Sequence, residues 1–416
     1  MIRYPRGVPI QVDRAERVCD RLDRLFEIGR AAGTNRPGLG EGEQRAFDLV
    51  AGWMKAAGLD VSIDPAGNLL GRMPGLDPEL ASVMAGSHLD TPPDGGRFDG
   101  ALGVVAALEA VEAIAAGGGG RRGLELVAFR MEEGCRFGRG VFGSRAMAGM
   151  LEPDEAELID TDGVSLGEAF AELGLGALPE AGWLDPPPAS YVEAHIEQGP
   201  VLAAAAAPLG LVTAIAGMAG IEVAFDGRRG HAGTVPMILR ADALAAAASF
   251  VQGLHDAARG LPDAVATVGR ISVLPGATNT IPGRVELFAD VRAPDAGGLQ
   301  RLVEAVHAVA ADAASRTGCR QRVIERWRYE PVTMHPDPAG AIRRGIAGLG
   351  LEVVELPSGA GHDATIMAMA GVPTAMLFVR SDAGGVSHAP EESTGIDAVA
   401  CCVRVLESTL RELAAA

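Results

Sequence analysis

The chain has 416 residues, 48% hydrophobic and 22% charged, a mix close to that of ordinary globular proteins and unlike that of a disordered chain. Its formal net charge of -18 opposes phosphate backbones and anionic bilayer surfaces, so neither nucleic acid nor membrane is an expected partner. The cysteines Cys19, Cys135, Cys319, Cys401 and Cys402 form no CxxC pair, and the N-terminal sequence lacks the regions of a signal peptide. A reducing cytoplasm is the expected location.

Apolar residues at three and four spacing, Val18, Leu22, Leu25 and Phe26, then Phe47, Val50 and Met54, predict helices between Asp13 and Gly58. Short apolar runs follow, at 82–85, 124–129 and 375–379, alternating with helical segments as in an α/β sheet. The apolar stretch from Ala101 to Ala116 contains Glu109 and Glu112 and falls short of the ~20 apolar residues of a membrane span, so it reads as a core helix. From Leu211 to Trp327 the pattern changes to a strand near Ile221, an alanine-rich helix from Ile238 to Ala258 and a strand pair around Ile271 to Val291. In the last strand Val285, Leu287, Ala289 and Val291 share one face. The expected organisation is a catalytic domain in two parts, 1–211 and 329–416, with an α+β domain inserted at 212–328.

The chemistry lies at the ends of the apolar runs. The first run ends in Gly86-Ser-His-Leu-Asp-Thr, placing His88 where ligands gather in open α/β sheets, with Asp90 two residues on to fix its tautomer. Asp99, in Gly95-Gly-Arg-Phe-Asp-Gly, is either a carboxylate able to bridge two cations or a helix cap. The run at 124–129 leads to the adjacent acids Glu132 and Glu133; in extended backbone they would point opposite ways, one a metal ligand and the other a general base. A solvated acidic turn is the alternative. His195 follows a β-like run from Tyr191, and His388 stands in a loop after the run at 375–379.

The set His88, Asp99, Glu133, His195 and His388 has the mixed nitrogen and oxygen character suited to zinc, manganese, cobalt or nickel. Two divalent ions sharing one carboxylate can lower the pKa of a water from about 15.7 towards about 7, leaving Glu132 to move its proton. Of the other histidines, His255 and His307 sit in helical patterns and read as surface residues. His362, in Ser358-Gly-Ala-Gly-His-Asp-Ala, reads as a residue behind the ligands, in a loop whose amides can hold a carboxylate.

Across nearly the whole chain the motifs GSHLDT, GGRFDGALGV, EEGCRF, HIEQGP, GHAGTVPM, ATNTIPGR, DVR, SGAGHDA and SHAPEE stand in an order that resembles the metal-dependent amidohydrolases and peptidases of the aminoacylase and glutamate carboxypeptidase superfamily. HIEQGP and SGAGHDA are typical of its ureido-hydrolysing branch of N-carbamoyl-L-amino-acid hydrolases, allantoate amidohydrolases and β-ureidopropionases. The resemblance implies a mixed-sheet catalytic domain carrying two metals and an inserted lid domain that also forms a homodimer. It implies that His88 and His195 bind one metal, Glu133 and His388 the other, that Asp99 bridges them, and that Glu132 is the base. It further implies that His231 approaches the oxyanion, that Asn279 and Arg292 hold the substrate, Arg292 through its carboxylate, and that Gln198, Gly359 and Ala360 complete the pocket. From the residues alone, Arg292 could equally pair with Asp290 and His231 could cap the turn after Gly230. The sequence departs from the usual pattern at Pro92, where valine is common, at Met131, where asparagine is common, and at Ala203, where glutamate is frequent.

Overall fold

The apolar runs become the parallel centre of a sheet in the computed structural model, which describes residues 12–416. The N-terminal stretch on which the signal-peptide expectation rests lies outside the described residues. In chain order the strands are β1 (Asp60–Ile63), β2 (Leu69–Met73), β3 (Val83–His88), β4 (Leu124–Phe129), β5 (Ser190–Ile196), β6 (Leu209–Ile215), β7 (Gly217–Asp226), β8 (Gly230–His231), β9 (Val265–Leu274), β10 (Thr280–Ile281), β11 (Arg284–Ala293), β12 (Arg320–Tyr329), β13 (Val332–Thr333), β14 (Val354–Ser358) and β15 (Thr374–Val379). Among the described residues nine strands join in one sheet, in the order β1-β2-β4-β3-β5-β15-β6-β13 with β14 beside β6.

The four central strands β4, β3, β5 and β15 run parallel, while β1, β2 and β6 pair antiparallel with their neighbours, so the sheet is mixed. Every residue of β3, β5 and β15 is buried, as expected of parallel strands covered on both faces. All four parallel strands therefore end at one edge of the sheet. There the chain presents His88, the segment after Phe129, His195 and the segment after Val379.

The helix Ala101–Ala116 is apolar on every side because it is buried in the main core. Its one buried acid, Glu109, is held by Arg14 at 2.8 Å and by Arg17 and Arg21 of the first helix, Val12–Phe26. Gly103 lets this helix lie against the sheet: a Cβ there would stand 2.2 Å from the Ala194 carbonyl oxygen and 2.8 Å from Ser87 Cβ. No helix among the described residues is long and apolar enough to cross a membrane.

The chain divides into two compact units, the first taking residues up to Thr213, Met334–Leu356 and His362–Ala416, the second Ala214–Thr333 and Pro357–Gly361. In the second unit β12-β7-β11-β9 form an antiparallel sheet, and Val285, Leu287, Ala289 and Val291 of β11 are buried against the helices Ala243–Arg259 and Ala296–Thr317. The first of these helices starts five residues later than its alanine-rich pattern suggests, because Asp242 caps it, accepting from the Leu244 and Ala245 amides.

Replacing Gly103 with alanine is expected to cost about 1–3 kcal/mol by overpacking against backbone. Gly52→Ala, with open space around the added methyl in an exposed helix, should be neutral or mildly stabilising. Thermal unfolding followed by circular dichroism compares the two.

Candidate metal centre

The imidazoles at the strand ends are oriented from behind. His88 Nδ1 lies 3.2 Å from the Asp90 carbonyl oxygen and 3.3 Å from its Oδ1, and His195 Nδ1 lies 2.9 Å from the Ile196 carbonyl oxygen. In the neutral rings these contacts place the proton on Nδ1 and leave Nε2 as the electron-pair donor. Gly100 combines a φ of +58° with a position where a Cβ would strike the His88 ring at 2.4 Å, so only glycine fits there.

Asp99 does not cap the following helix, whose N-cap is Gly100. Its side chain turns to the histidines instead. Asp99 Oδ1 is 3.4 Å from His88 Nε2 and 3.2 Å from His195 Nε2, whereas Oδ2 is 3.4 Å from His388 Nε2. One carboxylate thus serves two groups of donors, an oxygen to each.

Glu132 and Glu133 reach the same space by a route the strand alternation did not foresee. β4 ends at Phe129, and Met131 takes a φ of +53°, so the acids are not in extended backbone. Asp90 holds the turn, accepting from the Glu132 amide at 2.9 Å and the Glu133 amide at 3.1 Å. Glu43 accepts from the Met131 amide at 2.8 Å and pairs with Arg130 at 2.9 Å, and Arg130 lies over the Phe47 ring. The resulting geometry puts Glu132 Oε2 3.8 Å from His88 Nε2 and Glu133 Oε2 3.4 Å from His388 Nε2.

Among the described residues three overlapping groups have donor atoms within 4.8 Å of one another: His88, Asp99 and His195; His88, Glu132 and Glu133; and Asp99, Glu133 and His388. The residues fit a divalent cation. The donors are imidazole nitrogens and carboxylate oxygens, and Glu133 Oε1 is buried without a hydrogen-bond partner. Electrostatics agree. Burial, with the nearby Asp99 charge, pushes the Glu133 carboxyl up to about 8, and burial with neighbouring acids holds Glu132 well above the ordinary range. Burial would raise Asp99 too, but the three imidazoles keep it well below. The Asp99 hydrogen bond lifts His388 to about 9, and against the effect of burial the surrounding carboxylates raise His88 and His195.

Residues 84–412 match the model of peptidase family M20/M25/M40. The chain belongs to that family. An N-carbamoyl-L-amino acid amidohydrolase of Geobacillus stearothermophilus is 40% identical over 406 residues, spanning 96% of this chain and 99% of the relative. An allantoate deiminase of Arabidopsis thaliana is 34% identical, over 90% of this chain and 78% of the relative. Among solved structures, a hydantoinase/carbamoylase family amidase from Burkholderia multivorans superposes with a TM-score of 0.91 at 32% identity, covering 97% of this chain and 98% of that one. Like the Geobacillus relative, this M20/M25/M40 member is an amidohydrolase, and its cluster of imidazole and carboxylate donors is consistent with a metal-dependent one.

Other residues fall as follows. Gln198 donates from Nε2 to Asp99 Oδ2 at 2.7 Å and lies beside His388. His362 packs edge-on against His195, its ring centroid 4.6 Å away. Burial and the neighbouring imidazoles hold it well below the usual histidine range. His255 and His307 are exposed on their helices. In the second unit β8 pairs with β10, bringing His231 beside Asn279, whose carbonyl accepts from the Ala232 amide. Arg292 is paired with Asp290 at 2.7 and 2.9 Å, the pairing its strand position allowed, and donates to the Gly359 carbonyl at 2.7 Å. Sequence reasoning missed Glu43, Arg130, Glu193, Asp363 and Glu392, all buried. Two of them lay inside motifs already singled out, Asp363 in SGAGHDA and Glu392 in SHAPEE.

Cation binding must displace protons from Glu133 and His388, so affinity is expected to rise with pH through about 8 to 9 and then level, and to fall below. Calorimetric titration of chelator-stripped protein from about pH 6.5 to about pH 9.5, in two buffers of different ionisation heat, reads both the affinity and the protons released. A pH-independent affinity would remove these residues from the ligand set.

Proposed function

We propose that this chain is a dinuclear-metal hydrolase of N-carbamoyl (ureido) acids, converting an N-carbamoyl-L-amino acid and water to the amino acid, ammonia and CO2. The observation that carries the substrate class is the 40% identity, over nearly the full length of both chains, to an N-carbamoyl-L-amino acid amidohydrolase. What supports two cations is Asp99, whose two oxygens face different donor groups. His88 and His195 would hold one cation, Glu133 and His388 the other, with Asp99 shared. Zn2+ or Mn2+, with Co2+ or Ni2+ also compatible with these donors, would supply Lewis acidity and make water nucleophilic near neutral pH.

With divalent charge in the donor set the Glu132 carboxyl would be ionised, and it then takes the proton of the attacking water and delivers it to the departing nitrogen. Its carboxylate lies at the edge of the donor set, its backbone fixed by Asp90, so it can move a proton without reorganising the ligands. Gln198, Asn279, Arg292, Gly359 and Ala360 are assigned to the substrate and His231 to its developing oxyanion. His231 Nδ1 accepts from the Gly233 amide at 3.0 Å, which in the neutral ring puts the proton on Nε2, the tautomer an oxyanion requires. Asp290 fixes the plane of the Arg292 guanidinium; of the N–H groups facing away from Asp290 one donates to the Gly359 carbonyl, and the rest suit a substrate carboxylate.

The likeness to allantoate deiminases makes allantoate the second candidate substrate. A panel of N-carbamoyl-L- and D-amino acids, N-carbamoyl-β-alanine, allantoate, N-acetyl amino acids and dipeptides, assayed for ammonia release with and without chelator, separates the readings. Chelator-sensitive ammonia from a carbamoyl-L-amino acid is the expected result; deacylation or peptide cleavage alone would overturn it. Glu132→Gln should lower kcat at least about 100-fold while retaining bound metal and melting temperature.

A homodimer through the second unit is part of this reading. What supports it is the run Met237, Ile238 and Leu239, with Ile238 91% exposed, and the open edge of β9, where Val265, Ile271 and Leu274 face solvent. Light scattering should give twice the chain mass, and Ile238→Asp with Ile271→Asp should shift it towards the monomer. Five free cysteines support a reducing, cytoplasmic location.

A further inference from the structure

Glu392 is 5% exposed, and its side-chain hydrogen bonds run to the loop carrying Asp99 and to Ser387 beside His388. Its Oε1 accepts from the backbone amides of Phe98 at 2.6 Å and Asp99 at 3.0 Å. Its Oε2 lies 3.0 Å from Ser387 Oγ, which is itself 2.8 Å from Asp99 Oδ2. One carboxylate therefore spans two loops almost 300 positions apart, the loop carrying Asp99 and the loop carrying His388. The local sequence makes room for it: a Cβ at Gly96 would stand 2.2 Å from the Glu392 carboxyl carbon. Its neighbour Glu391 is exposed.

His388 needs such a tie more than the other imidazoles do. His88 and His195 are buried on sheet strands, whereas His388 is on a loop, has a φ of +56° and a side chain 47% exposed. Nothing in the sheet sets the distance from His388 to Asp99. The Glu392 bridge does, because it fixes the Asp99 backbone with one oxygen and, through Ser387, the residue next to His388 with the other.

We propose that Glu392 is a positioning residue that locks the Asp99 loop to the His388 loop and thereby sets cation affinity at the Asp99–Glu133–His388 group. The inference rests on the two-cation reading above. Glu392 touches neither substrate nor reacting atoms. Its effect is on where the shared carboxylate and the most exposed imidazole stand.

The test is calorimetric titration of the chelator-stripped full chain with MnCl2, comparing wild type, Glu392→Ala, Glu392→Gln, Glu391→Gln and His388→Ala. Wild type should bind two cations. His388→Ala identifies which binding event belongs to the Asp99–Glu133–His388 group, and Glu392→Ala should weaken that same event about 10- to 100-fold while sparing the other. Glu392→Gln keeps an oxygen for the Phe98 and Asp99 amides and should recover most of the loss; Glu391→Gln should match wild type. A Glu392→Ala protein with both wild-type affinities overturns the proposal, as does equal loss of both events without rescue by glutamine. Should Glu392→Ala fail to fold, Gly96→Ala, which pushes the carboxylate off its amides, tests the same link, and an unchanged affinity in that folded variant is equally fatal. A wild type that binds one cation would instead overturn the two-cation reading.

Discussion

Four ionisable side chains of the donor set, His88, Asp99, His195 and Glu133, are at most 7% exposed, with Glu132 close behind at 10%, and the burial of that charge is the constraint around which the rest of the first unit is built. Removing carboxylates and imidazoles from water costs several kcal/mol per charge unless opposite charge and hydrogen bonds offset it. In this chain the offset is arranged by alternation. Asp99 sits among three imidazoles and is held ionised, while the two glutamates, which lack that many cationic neighbours, are driven towards their neutral forms. The arrangement is balanced for protons or for divalent cations, and a peptide that merely needed stability would gain more from apolar residues in the same volume.

The supporting layer shows the same economy of parts. Asp90 orients His88 with its carboxylate and carbonyl while accepting from both amides of the acid pair, so one residue fixes the first imidazole, Glu132 and Glu133 relative to one another. Glu43 does the corresponding work one step further back. It accepts the Met131 amide in a left-handed conformation that a non-glycine residue adopts only when its surroundings insist, and its charge is answered by Arg130, itself buried on Phe47. Met131 replaces the asparagine common at that position, yet the turn is intact because its hydrogen bonds use the backbone amide and the carbonyl rather than the side chain.

Much of the centre was legible because strand ends are written in the hydrophobic pattern. His88, His195 and His388 follow or close apolar runs, and in a parallel sheet those ends meet. The alternation of β11 likewise predicted its buried face residue by residue. The reasoning failed where it assumed regular backbone beyond a strand. The different neighbours of Glu132 and Glu133 do not come from pleating; they come from a reversal at Met131 that no glycine announces. Glu43 and Glu193, and Asp363 and Glu392 although they stand inside the motifs SGAGHDA and SHAPEE, were passed over for another reason. A chain with 54 acidic residues offers no local mark for the few that fold inward, and burial is decided by partners far away in sequence.

The donor set is also asymmetric in a way that bears on how cations come and go. The group formed by His88, Asp99 and His195 is built on two central strands and covered by a helix brought close by Gly103, whereas the group formed by Asp99, Glu133 and His388 depends on loops. The half-exposed His388 imidazole leaves the second group open to solvent, whereas the first is enclosed. Because Asp99 faces both groups, one oxygen to each, any displacement of its carboxylate is felt by both. The strand-borne half of the donor set thus takes its geometry from the sheet, and the loop-borne half takes it from hydrogen bonds between loops.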